Sequence, residues 1–102
     1  MNKKIKLSYI NKGKSFSMPK MTVGLNEKYL EYLAEMEKKY DDEEKINREA
    51  NKLFMLEVLK QIDDSVTMET ILNMHPNDFL YLFNTIWQTG VEIKEEGDDK
   101  NF

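Results

Sequence analysis

The chain has no cysteine, one histidine (His75), one arginine (Arg48), two prolines and four glycines in 102 residues. The missing cysteines exclude disulfides, thiolate nucleophiles and cysteine-ligated zinc. A single histidine would leave carboxylates to complete a zinc or iron site, an uncommon ligand set. No glycine-rich phosphate loop and no calcium-loop spacing of acids occurs. No apolar run approaches the roughly 20 residues needed to span a bilayer. The opening MNKKIKLSYI is basic, but Lys4, Lys6 and Tyr9 interrupt its apolar residues and no small-residue cleavage site follows. It is not read as a signal peptide. These absences point away from an enzyme, a metal or a cofactor, and towards one soluble domain of ordinary size.

What is present is charge, unevenly placed. The formal net charge is −4, yet residues 1–26 carry six lysines and no acid. Residues 27–64 carry twelve acids against seven bases, and 65–91 hold only Glu69 and Asp78 as formal charges. A basic head beside an acidic body has two readings: attraction within the chain, or contact with nucleic acid. The first is the better default.

Periodicity divides the chain. Ile5, Leu7 and Tyr9 alternate with polar residues, NKGK supplies a turn, and Phe16 and Met18 resume the alternation before Pro19. This predicts a β-hairpin over 4–18. Leu25, Tyr29, Tyr32, Leu33, Met36 and Tyr40 then follow helical spacing, predicting a helix over 26–40 capped by Asn26. Asp41 and Glu44 fit a capping box opening a second helix, 42–62, with Ile46, Ala50, Leu53, Phe54, Met55, Leu56, Val58, Leu59 and Ile62 as its apolar residues. A third short helix is expected over 67–74 with Thr67 as its cap. Pro76 suits the first turn of a fourth, 77–89, which Gly90 would end. The fold expected is mainly α (α+β): a hairpin packed on about four helices in a single domain, 1–93, followed by a flexible acidic tail, 94–102.

His75 has no partners of the catalytic kind. Ser65 and Asp78 could be imagined with it as a triad, but no nucleophile turn supports that. The corner before a helix, where the ring can cap, is the stronger reading. The paired acids, Asp41–Asp42, Glu43–Glu44, Asp63–Asp64 and Glu95–Glu96, lie in polar stretches and read as solvated surface. Lys4, Lys6, Lys12 and Lys14, with Tyr9 and Phe16 nearby, are the candidates for contact with a phosphate backbone. No arginine accompanies them, which weighs against base reading.

The fourth helix, NDFLYLFNTIWQTG, is apolar over more of its circumference than one core contact requires. Phe79, Phe83 and Ile86 make one stripe and Leu80 and Trp87 another. Two explanations are open: a central helix enclosed on all sides, or burial against the core on one side and a partner on the other. Under the second, Met74, Phe79, Tyr81, Leu82, Phe83 and Trp87 are the partner-binding candidates, since aromatic residues are typical interface anchors. The seven methionines suit an adaptable apolar surface or serve as core filler.

The order of segments, IKLSYINKGKSFSMPKMTVG, then charged helices, then VTMETILNMHPNDFLYLFNTIW and an acidic end, resembles the small tail assembly chaperones of long-tailed phages of low-GC Gram-positive bacteria. The resemblance covers roughly 4–93. It implies a non-enzymatic protein of the host cytoplasm that binds and solubilises the tape measure protein and helps recruit tail tube subunits. It implies no membrane contact, leaves self-association open, and makes nucleic acid an unfavoured partner. It carries no residue-specific motif. The alternative is a small nucleic-acid-binding or regulatory protein that uses the lysine-rich head.

Overall fold

The computed structural model describes residues 4–96, with side chains as far as Trp87. Four α-helices are present among the described residues: α1 (Val23–Lys39), α2 (Glu43–Ile62), α3 (Met68–Leu72) and α4 (Pro76–Glu96). They fall into two compact units, one made of 22–73 and the other of 4–21 together with 74–96.

In the first unit α1 and α2 form an antiparallel pair. The Thr22 hydroxyl accepts from the Leu25 amide at 3.1 Å, so α1 opens one turn before the expected cap, and Asn26 lies inside it. Thr22 is extended and its oxygen meets an orphan amide, and this cap brings Val23 and Gly24 into the first turn despite their low helix propensity. Lys38 and Lys39 sit in the last turn, where cations suit the helix dipole. The expected Asp41–Glu44 box is replaced. Asp42 is the N-cap of α2 and makes no side-chain cap bond, and Glu43 and Glu44 complement the dipole from the first turn.

The two helices close on Met36, Ile46 and Ala50, with Tyr32, Leu33, Tyr40 and Leu53 packed round them. Fully buried Ala50 removes a large side chain from the middle of this cluster and so allows close approach. Two tyrosines of α1 reach across to α2: Tyr29 donates to the Asn51 side-chain oxygen at 2.7 Å, and Tyr32 donates to the Glu57 carboxylate. The Tyr29 ring also meets Phe54 edge-on, with centroids 5.3 Å apart. Asp63 ends α2 by accepting from the amide and hydroxyl of Ser65 at 3.1 and 2.7 Å. Thr67 and Thr70 then cap α3 reciprocally, with Thr67 at the position expected.

The second unit overturns the expected β-hairpin. Among the described residues there is no strand, only one antiparallel bridge, in which Ile5 and Phe16 exchange amide bonds of 2.8 and 2.9 Å. The ladder fails because the intervening chain spends its donors locally. Ile10 bonds to Leu7, Gly13 to Ile10 and Lys14 to Asn11, while Asn11 and Lys12 take left-handed φ values of 57° and 56°. The turn moves the buried position: Ile10 is fully buried, whereas Tyr9, which alternation assigned to the apolar face, is exposed. Ile5, Ile10, Phe16 and Met18 anchor the segment.

Pro76 opens α4 as expected, with His75 before it. The His75 Nδ1 accepts from the Asn77 amide at 3.0 Å, and its carbonyl accepts from the Asp78 and Phe79 amides. The helix runs on to Glu96 instead of ending at Gly90. One glycine costs about 1 kcal/mol relative to alanine in a helix, and no proline or turn sequence follows to stop it. The expected acidic tail overlaps the end of α4, and its remainder, 97–102, lies outside the described residues.

Candidate protein-binding surface

At about 100° per residue, the side chains of α4 divide into faces. Leu82 and Ile86 share the innermost face and are fully buried. Phe79 and Phe83 lie next to them and are partly buried, and beyond these come Leu80 and Trp87, 56% and 36% exposed. The aromatic rings run along the helix: Phe79 stacks on Phe83 at 6.2 Å, and Phe83 meets Trp87 tilted at 6.1 Å. Leu80, Phe83 and Trp87, at i, i+3 and i+7, therefore make a continuous apolar flank from core edge to solvent.

The opposite flank is polar. Asp78 accepts from the Tyr9 hydroxyl at 2.9 Å, and the Thr85 hydroxyl bonds back to the Tyr81 carbonyl at 2.7 Å. Burial pushes the Tyr9 phenol up to about 12, with the bond to Asp78 and its charge adding to the effect. Tyr81, 45% exposed, stands on this flank, away from Leu80 and Trp87.

The partner candidates are thus separated. Phe79, Phe83 and Trp87 share the apolar flank, Tyr81 lies on the other side, and Leu82 and Met74 are buried in the core. Leu80, the most exposed apolar residue of α4 among those whose side chains are described, is not one of the partner candidates. Its seven-residue spacing from Trp87 was the signal that could have included it.

A concave feature lies in the 22–73 unit. Tyr32, Leu53, Leu56, Glu57, Lys60 and Gln61 line an open groove of about 390 Å³ along the seam of α1 and α2. Its α2 residues recur at i, i+3, i+4, i+7 and i+8, one helix face. Burial pushes the Tyr32 phenol up to about 12, reinforced by its bond to Glu57 and by the charges of Glu57, Glu35 and Glu31.

The imagined triad has each of its groups engaged locally: Ser65 with Asp63, His75 with the Asn77 amide, and Asp78 with Tyr9. Among the described residues no three acidic or histidine side chains are grouped to hold a metal ion, and no helix is long and apolar enough to cross a membrane. Lys4, Lys6, Lys12 and Lys14 are all exposed in the 4–21 segment. No known protein family, characterised protein or solved structure matches the chain.

Proposed function

We propose that the protein is a tail assembly chaperone of the long-tailed phage type, which binds a helical segment of the tape measure protein, keeps it soluble, helps recruit tail tube subunits and performs no catalysis. The observation that carries this reading is the Leu80–Phe83–Trp87 flank of α4, an aromatic and aliphatic stripe that continues the core outward into solvent. A long helical client presents the complementary object, an amphipathic helix with anchors at i, i+3 and i+7 that can lie along such a stripe. The order of the segments along the chain, similar to that of the chaperones, supplies the identity of the client.

The test is co-expression with the tape measure protein followed by pull-down in roughly half-molar salt, where the Debye length falls well below 10 Å and surface charge attraction is screened. The wild-type chain is expected to retain the client. The double change Leu80→Ser and Trp87→Ser is expected to release it while circular dichroism and thermal unfolding stay close to wild type. Retention by the double variant removes α4 as the binding surface; failure of the wild type to bind removes the chaperone reading.

A further inference from the structure

The 4–21 segment presents Lys4, Lys6, Lys12, Lys14 and Lys20 to solvent, and no acidic residue occurs before Glu27. Ordered structure holds these charges together. Four buried apolar side chains pin the segment, the Ile5–Phe16 bridge closes its base, and Tyr9 ties it to Asp78. Lys12 occupies a left-handed conformation that residues with a Cβ adopt at a cost, and the turn it forms keeps its side chain exposed. A fixed cluster of like charges raises the potential around it and is relieved by an oppositely charged surface.

We propose that this lysine loop docks on the acid-rich 22–73 unit of a second copy of the same chain, giving a head-to-tail contact between protomers. Charge complementarity selects the occupant. That unit carries thirteen acidic and seven basic residues, a balance of −6. On α1, exposed Glu27, Glu31 and Glu35 recur every fourth residue, the spacing at which like charges destabilise a helix and an external cation relieves them. Their field is felt locally, since Glu31 and Glu35 contribute to the raised pKa of Tyr32. Nucleic acid fits less well: the chain's isoelectric point is near 5.0, so most of its surface would repel a polyanion, and the lysine segment holds no arginine to read bases. A contact between two different surfaces closes into a ring or extends into an open assembly, according to the rotation it imposes.

Sedimentation velocity on the full chain, without client, tests this apart from the chaperone reading. At low salt and protein concentrations up to roughly 0.1 mM, where weak contacts become populated, the wild-type sedimentation coefficient is expected to rise with concentration. In half-molar salt it should stay flat. A variant carrying Lys4→Glu, Lys6→Glu and Lys14→Glu should remain monomeric at low salt, as should one carrying Glu27→Lys, Glu31→Lys and Glu35→Lys. Mixing the two reversed variants should restore association, with the circular dichroism and thermal unfolding of each variant alone close to wild type. A wild-type chain that stays monomeric at low salt overturns the proposal. So does association that survives the lysine changes, or faster sedimentation that depends on added oligonucleotide.

Discussion

Lys12 and Gly13 hold neighbouring left-handed positions, φ 56° and 78°, and different side chains there have different consequences. A Cβ on Gly13 would meet only the Ser8 backbone, at 3.8 Å or more, so Gly13→Ala introduces no clash and its cost is conformational, about 1 kcal/mol. Lys12→Gly removes an existing cost of the same kind and adds flexibility to the unfolded chain, two effects that largely offset. Urea unfolding should therefore show a clear loss for Gly13→Ala and little change for Lys12→Gly. The cap on α4 makes a second residue-scale prediction. His75→Ala leaves the Asn77 amide without its acceptor and should cost about 1 kcal/mol, whereas His75→Asn, which retains an acceptor at the cap, should recover most of it. The tyrosines predict a pH dependence. Tyr9 and Tyr32 ionise near 12 in the folded chain against an ordinary value of 10.0, so folding favours their protonated forms. Their contribution is complete below pH 10, and is lost as pH climbs through 12. Burial raises Tyr29 as well, so phenolate absorbance should show three late-ionising groups, Tyr9, Tyr29 and Tyr32, and Tyr32→Phe should remove one of them.

In α4 the spacing of the residues reveals which are apolar but not which way they face. Its two apolar stripes were visible from spacing alone, but which stripe faces inward depends on what the rest of the chain places against it, and local sequence does not contain that. Leu82, an expected anchor, is core, and Leu80, outside the expected anchors, is exposed. Leu82→Ala should accordingly cost about 2–5 kcal/mol in denaturant unfolding, and Leu80→Ala less than about 1. Equal costs at the two positions would mean that the inward face has been misplaced. The helices were legible because 3.6-residue spacing persisted over many residues, and Thr67 and Pro76 were legible because their chemistry fits few other positions. Alternation over Ile5, Leu7 and Tyr9 was too short a signal. It could not register that Ile10, one residue on, is the better anchor, nor that Asn11 would accept a positive φ and let the chain turn early. Thr22 was missed as a cap because Asn26 offered an equivalent signal one turn later, and only the backbone conformation before Val23 decides between them.

For the whole molecule, the two units differ in how the chain builds them. The 22–73 unit is continuous, and its central contact joins α1 to α2 through a three-residue connection. The other unit requires 4–21 and 74–96 to meet with all of 22–73 between them. Closing that span costs loop entropy before any apolar contact repays it, and local pairings reach a folding transition state sooner than distant ones. The α1–α2 pair should therefore be formed in the rate-limiting step, with the lysine segment arriving on α4 afterwards. Stopped-flow folding can separate the two. Ile46→Val, in the α1–α2 cluster, should lower the refolding rate by most of its effect on stability. Ile10→Val, at a fully buried site of the discontinuous unit, should leave refolding nearly unchanged and speed unfolding instead. The reverse pattern would mean that the chain ends meet early. The Leu80–Phe83–Trp87 flank of α4 would then be shaped before the helical pair instead of being completed last.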